Sequence, residues 1–387
     1  MISLSKRGKI ESFLAMDVMR EAGDLEASGA SICHMEVGQP GTPAPFFVRE
    51  RAKEALDDEL IGYTEALGQR SLRERIAQHY KESYDVSIDT DQVVITTGSS
   101  AGFVLSFLAT LDAGDHVMIT RPGYPCYREI LKALDLIPIE IPVGFHNDWM
   151  PSLGEMAKVI EEYDIKAILL ASPANPTGVV FGQDRLKSLV DMAACRGIWF
   201  FSDEIYHGLT YEKPADTVLS FLERDDQPVI ILNSFSKYYS MTGWRIGWMV
   251  VPRNLVRRME KLNQHLFISA PGLSQIAATA AFDARDELGG LKKQYARNRE
   301  ILTNGLVTAG FGRFAPPDGA FYVYVDVSDF TSDSLEFSKL LLREHGIAAS
   351  SGLDFDRVDG GGMIRFSYAG TEADVIEAVK RLQAANF

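Results

Sequence analysis

The stretch AILLASPANPTGVVFGQDRLKSLVDMAACRGIWFFS, residues 167–202, reads as strand, loop, helix and strand. Ala167 to Ala171 is an unbroken apolar run of strand length, and Trp199 to Ser202 is a second. Between them Leu186, Leu189, Val190 and Ala193 recur at helical spacing, so one face of that helix meets a core and the other meets water. Continuous apolar strands on either side of an amphipathic helix mark a parallel pair joined by a crossover, because strands covered on both faces have no polar side to show.

The same alternation extends outward from about Gln69 to Val251. Further candidate strands are Val93 to Thr97, His116 to Thr120, Ile137 to Val143, Val229 to Asn233 and Ile246 to Val251. Helical faces are counted from Leu72, Ile76 and Tyr80, and again from Leu153, Met156 and Ile160. The expected fold class is therefore α/β, with a mostly parallel sheet covered by helices. From about Leu291 the order changes. A long helix is followed by Phe321 to Val327, a helix near Ser334 to Glu344, short strands at Ile347 to Ser350 and Met363 to Tyr368, and a last helix bearing Val375, Val379 and Leu382. That order predicts a second, smaller α+β domain. Gly38, Pro40, Gly41, Pro43 and Pro45 mark Met35 to Pro45 as a linker. The expected division of the 387 residues is an arm over 1–40 packing on the small domain, a large domain over 41–288 and a small domain over 289–387.

With 46% apolar and 24% charged residues the composition is that of an ordinary globular protein, which excludes disordered, collagen-like and disulfide-scaffold readings. The net charge of −14 repels nucleic-acid phosphates and anionic lipid. Cys33, Cys126 and Cys195 form no Cys-x-x-Cys pair, so neither a metal site nor a disulfide framework is expected. Lys6, Arg7, Lys9 and Glu11 interrupt the early apolar residues, and no run approaches the roughly 20 apolar residues of a membrane span. A cytoplasmic location is the expectation.

In open α/β sheets ligands gather at the carboxyl ends of the strands, so polar residues just after an apolar run are candidates. After Val93 to Thr97 comes Gly98-Ser99-Ser100-Ala101-Gly102 at a helix start, where backbone N–H groups and two hydroxyls suit a phosphate. After Ala171 comes Ser172-Pro-Ala-Asn-Pro-Thr-Gly178, a stiff loop whose Asn175 both donates and accepts. Asp203 follows the Trp199 run, and a carboxylate buried there demands a cationic partner. Its neighbour Glu204 points to the opposite face if the strand continues. Lys237 lies in Ser234-Phe-Ser-Lys at the end of another apolar run, where desolvation lowers its proton affinity and makes the amine a nucleophile for carbonyls. Arg245, eight residues further, suits a phosphate or carboxylate fork. A phosphate cradle, a cation, a buried acid, a fixed amide and an aldehyde-reactive amine at one sheet edge are together what pyridoxal phosphate asks for.

Ser172 to Gly178, Ser202-Asp-Glu-Ile-Tyr206, Ser234-Phe-Ser-Lys237 with Gly243-Trp-Arg-Ile-Gly247, and Met363-Ile-Arg-Phe-Ser367 resemble, in that order, the motifs of the class I and II pyridoxal-phosphate aminotransferases. These are the fold type I group related to aspartate aminotransferase, with a mostly parallel seven-stranded sheet in the large domain, and the resemblance runs from about Val37 to Tyr368. It implies that Lys237 bonds the cofactor aldehyde and carries the proton at the substrate α-carbon, that Asp203 pairs with the pyridinium nitrogen, and that Tyr206 and Asn175 hydrogen-bond the ring oxygen. Tyr124 would stack on the ring; Ser99, Ser100, Ser234, Ser236 and Arg245 would hold the phosphate. Arg365 would grip the substrate α-carboxylate beside Gly38 and Asn175. Tyr63 would reach the phosphate from a partner subunit, so a homodimer is implied. The family's enzymes strict for dicarboxylic amino acids carry an extra arginine, and the comparable stretch Asn263 to Pro271 has none. A neutral or aromatic amino donor is expected, with 2-oxoglutarate, or else pyruvate, as acceptor in a ping-pong transamination.

Two rival readings stand beside this one. A carbon–sulfur β-lyase would use the same cofactor groups. A serine hydrolase would read Gly98 to Gly102 as Gly-x-Ser-x-Gly, with Ser100 as nucleophile, Asp203 as acid and His265 or His345 as base, leaving Lys237, Arg245, Asn175 and Arg365 without a role. A nicotinamide site is excluded because the Gly-x-Gly-x-x-Ala string from Gly310 to Ala315 runs into Pro316-Pro317 and cannot open a helix.

Overall fold

In the computed structural model, which describes residues 4–385 and 387, the seven apolar runs form one sheet. Its strands are β1 (Val93–Thr96), β2 (His116–Arg121), β3 (Ile137–Pro142), β4 (Ile165–Ala171), β5 (Trp199–Asp203), β6 (Val229–Ser234) and β7 (Gly247–Val250), in the spatial order β1-β7-β6-β5-β4-β2-β3. All neighbours pair in parallel except β7, which runs against β1 and β6. The strand periodicity explains why the runs are continuous. Val93, Ile95, Ile168, Phe200 and Ile231 face one buried layer, while Val94, Leu169, Phe201, Ile230 and Leu232 face the other.

The reversed strand has a consequence for chemistry. Parallel strands bring their carboxyl ends to one edge, but an antiparallel strand brings its amino end there. Ser234 of β6 pairs with Gly247, Asp203 with Leu232 and Ala171 with Asp203. Asn175, Asp203 and Lys237, which follow parallel strands, and Arg245, which precedes the reversed one, therefore emerge at the same edge.

A second core surrounds a three-stranded antiparallel sheet with β10 (Met363–Ser367) between β8 (Tyr322–Asp326) and β9 (Ser350–Ser351). The run Ile347 to Ser350, expected as one strand, is divided. Ile347 and Ala348 pair in parallel with Cys33 and His34, and only Ser350 and Ser351 join β10. The Met35 to Pro45 stretch, read as a linker, is tied down at both ends, since Ser367 N–H donates to Met35 C=O at 2.7 Å and Gly41 N–H to Ala369 C=O at 2.9 Å. That lays Val37 and Gly38 along the opening between the two sheets. Helix α1 (Leu14–Ala27) crosses the same opening and packs on the small sheet. No helix among the described residues is long and apolar enough to cross a membrane.

Candidate active site

The strand ends and the small sheet enclose a pocket lined by Gly38, Ser99, Tyr124, Asn175, Asp203, Tyr206, Lys237 and Arg365, eight of the residues singled out in the sequence. Lys237 Nζ donates to Gly38 C=O at 2.6 Å. Gly38 must be glycine, because a Cβ there would occupy the place of the Tyr322 hydroxyl.

Asp203 is buried and receives no cation from the chain: among the described residues no Lys or Arg lies within ion-pair distance. Its carboxylate accepts the Tyr127 hydroxyl and, at 3.0 Å, the Ile205 N–H. Burial pushes its pKa up to about 6, against the opposing pull of the Tyr127 hydroxyl, the Ile205 N–H and Lys237. The Lys237 amine is drawn down to about 8, first by burial and then by the nearby Arg365 and Arg245 guanidinium groups. Glu204 turns away, its Oε1 accepting from Val218 N–H at 3.0 Å and Thr217 at 3.1 Å, and burial raises its pKa to about 8.

Asn175 sits in a loop closed on itself by the Gly178 N–H to Ala174 C=O bond of 2.8 Å, with Gly178 at a φ of +80° that only glycine adopts freely. Arg365 Nη1 donates to Asn175 Oδ1 at 2.9 Å, and since arginine only donates, the amide oxygen is fixed there and the amide N–H groups are free for a ligand. The same guanidinium donates to Glu36 C=O and to Ser350 Oγ, and lies against the Tyr322 and Phe355 rings at 4.3 and 4.6 Å. Its Nε is buried without a partner. Tyr206 shares a 2.7 Å hydroxyl contact with Tyr322.

Helix α2 (Gly98–Thr110) begins beside the pocket without a side-chain cap, leaving its first N–H groups open. Gly98 has a φ of +71°, and a Cβ on it would meet the Arg245 guanidinium. Arg245 itself takes a φ of +52°, rare for a residue with a side chain. A Cβ on Gly247 would come within 2.8 Å of Asn233 C=O and 3.1 Å of Ser99 N, so glycine lets the β7 entry lie against the helix start. Ser234 Oγ donates to Ser236 Oγ at 2.9 Å just below. Ser100 is exposed at the helix start, and Tyr63, at 89% exposure, points into solvent away from this pocket.

No histidine lines the pocket among the described residues. His265 is exposed at the end of the helix Val256–Leu266, and His345 packs on Phe387. Asp203 is committed to Tyr127, so the hydrolase triad is not assembled. The three cysteines are unpaired, and no cluster able to hold a metal exists among the described residues. Sequence reasoning missed Tyr127, Tyr322 and the α1 entry of Phe13, Ala15 and Met16, which also line the pocket. Tyr127 carried a signal, lying one helical turn after Tyr124; the others are brought in by tertiary packing alone.

The pocket and its margin fit pyridoxal phosphate: the pocket holds a buried acid without a cation and an amine of lowered pKa, and beside it lies an uncapped helix start against the Arg245 guanidinium. An α/β fold with that site defines a pyridoxal-phosphate enzyme. The chain also matches the model of the aminotransferase class I and II family over residues 32–382. It is similar to a valine–pyruvate aminotransferase of Mycobacterium tuberculosis, 43% identical and covering 97% of this chain and 96% of the relative. A (5-formylfuran-3-yl)methyl phosphate transaminase of Methanocaldococcus jannaschii is 34% identical, covering 98% of each chain. The crystal structure of an aminotransferase from Mycobacterium tuberculosis superposes with a TM-score of 0.94 at 42% identity over 99% of both chains. The chain belongs to the class I and II aminotransferases. It is a pyridoxal-phosphate-dependent transaminase that moves an amino group from an amino acid to a 2-oxo acid.

Proposed function

We propose that the donor is a neutral amino acid with an apolar side chain, that the acceptor is pyruvate rather than the 2-oxoglutarate first expected, and that the working unit is a cytoplasmic homodimer. The observation that carries the substrate reading is the charge inventory of the pocket. Its charged residues are Asp203, Lys237 and Arg365, while Phe13, Ala15, Met16, Val37 and Ile205 supply apolar surface. With Arg365 taken by the α-carboxylate and Lys237 by the cofactor, none of the described residues of this chain that line the pocket offers a cation for a second carboxylate, and burying one unpaired is costly. The similarity to a valine–pyruvate aminotransferase supports the same reading.

The bound cofactor supplies an electron sink for the bond broken at the substrate α-carbon. In this reading Lys237 would hold the cofactor by its aldehyde, and its amine, which donates to Gly38 C=O, would move the proton at the substrate α-carbon. Asp203 would keep the ring nitrogen protonated, Tyr124 would cover the ring, and Tyr206 with the free Asn175 N–H groups would address the ring oxygen. Ser99, Ser100, Ser234, Ser236 and Arg245 receive the phosphate. Arg365, stacked between two rings and oriented by Asn175, forks onto the α-carboxylate beside Gly38. Tyr63 completes the phosphate site of the partner subunit, a role supported by its exposure and by the exposed Leu60, Ile61, Leu266 and Ile268 on neighbouring segments. Three unpaired thiols suit a reducing compartment.

The test compares initial rates for valine, phenylalanine and aspartate with pyruvate or 2-oxoglutarate, and for alanine with 2-oxoglutarate alone, because alanine and pyruvate only exchange. An apolar donor with pyruvate should be fastest; aspartate with 2-oxoglutarate ahead of it overturns the substrate reading. Mixing inactive Tyr63→Ala and Lys237→Ala proteins should restore activity through hybrid dimers carrying one intact site. Absence of any recovery removes Tyr63 from the partner's site.

A further inference from the structure

Helix α1 opens on Phe13 without a side-chain cap of its own. The acceptor for its first turn comes instead from the far end of the chain: Asp354 takes Leu14 N–H at 2.9 Å on one carboxylate oxygen and Ala15 N–H at 2.8 Å on the other. Asp354 is fully buried. An anion at a helix start satisfies open donors and the positive end of the helix dipole together. Phe13, Ala15 and Met16, the residues this bond fixes, line the pocket.

The same short segment holds two other parts of the site. Asp354 C=O accepts Arg128 Nη2 at 3.2 Å, and Phe355 C=O accepts Gly123 N–H at 3.1 Å, which ties it to the turn bearing Tyr124. The Phe355 ring lies against Arg365 at 4.6 Å, and Asp356 accepts Arg121 at 3.1 Å. Phe13 meets the edge of Tyr124 at 6.1 Å between centroids. The α1 wall, the Tyr124 turn and Arg365 are thus referred to one point.

We propose that Asp354 is a positioning residue for substrate selection: by clasping the start of α1 it fixes Phe13, Ala15 and Met16 as the wall against which the donor's side chain packs. The proposal rests on the apolar-donor reading above. A methyl side chain is too short to depend on that wall, whereas a larger one gains its contact area there.

The experiment uses the holoenzyme and two donors, alanine and whichever larger amino acid the wild type turns over fastest, both paired with 2-oxobutyrate as acceptor because alanine and pyruvate only exchange. Asp354→Ala should lower kcat/KM for the larger donor by about five- to tenfold, the size of a lost helix cap, with the change mainly in KM. The value for alanine should move by less than about twofold, and the absorbance of the bound cofactor should be unchanged. Asp354→Asn keeps one acceptor oxygen and should fall between; it carries the test alone if the alanine variant does not fold. In a Phe13→Ala, Met16→Ala background, adding the Asp354 change should alter selectivity little, because the wall it positions is gone. Equal losses for both donors, no loss, or full additivity in that background each overturn the proposal. A wild type that prefers no apolar donor is a failure of the substrate reading, visible before any variant is made.

Discussion

On one side of the pocket Asn175, Asp203 and Lys237 each stand at or a few residues beyond the end of a sheet strand, locked in register with its neighbours. On the other side Phe13, Gly38, Tyr322 and Arg365 come from four separate segments, joined by contacts such as Lys237 to Gly38 C=O and Arg365 to Asn175. The first wall takes its geometry from hydrogen-bonded strands buried on both faces, and it carries the acid Asp203 and the amine Lys237, whose pKa values burial draws toward neutrality. The second takes its geometry from packing between distant segments. Reaction type and substrate choice therefore rest on different structural supports, and they should fail separately.

Lys237→Ala is the severest break in the first wall. Turnover should fall by at least about 10⁴-fold, as for removal of a group acting as both nucleophile and proton carrier. The linked-cofactor absorbance should vanish, and borohydride reduction of the wild type should place the adduct on Lys237. Retained turnover in the variant would remove the distinction between the walls at its root.

Arg365→Ala breaks the second wall while leaving the first in place. A buried guanidinium lost from a charged hydrogen bond costs about 3 kcal/mol, or about two orders of magnitude in kcat/KM for the amino acid. Cofactor uptake should stay near the wild-type level. A comparable loss of cofactor would mean that the two walls are one unit, coupled through the Arg365 to Asn175 bond.

The two walls also differ in how much of them can be read from sequence. Strands β1 to β7 announce themselves as apolar runs, and the rule that ligands meet strand ends leads straight to Asp203 and Lys237. Arg365 is different: nothing in its own strand pattern marks it, and it enters through the likeness of Met363 to Ser367 to a family motif. Phe13 and Met16 lie just before and within the first turn of a helix whose partner, Asp354, is far along the chain, so no local periodicity could reveal the contact. The division of Ile347 to Ser350 between two sheets is likewise a tertiary result, decided by which strand each half finds to pair with.

Tyr127→Phe makes the smallest change and sharpens the comparison inside the first wall. Without cofactor, Asp203 has its pKa raised by burial from 3.8 to about 6, while the Tyr127 hydroxyl favours the ionised form. Because the folded value lies above the unfolded one, the stability Asp203 contributes to the cofactor-free protein is fully present below about pH 4 and is lost as pH rises through about 6. A cationic ring nitrogen reverses that preference by pairing with the carboxylate, so cofactor uptake should weaken as pH falls through about 6. Removing the hydroxyl takes away a donor to the ionised form. The Asp203 pKa then rises further, and the midpoint of uptake moves to higher pH. At pH 5, below both midpoints, affinity should drop by about three- to tenfold for a rise of about half a unit to one unit, because each unit of displaced pKa is worth about 1.4 kcal/mol, and the difference should shrink to about twofold or less by pH 7 and vanish as the solution is made more alkaline. Absorbance titrations of the cofactor-free protein across pH read this directly. A midpoint that stays put or moves down would mean that Tyr127 does not stabilise the Asp203 carboxylate, and that burial alone sets the acid facing the ring.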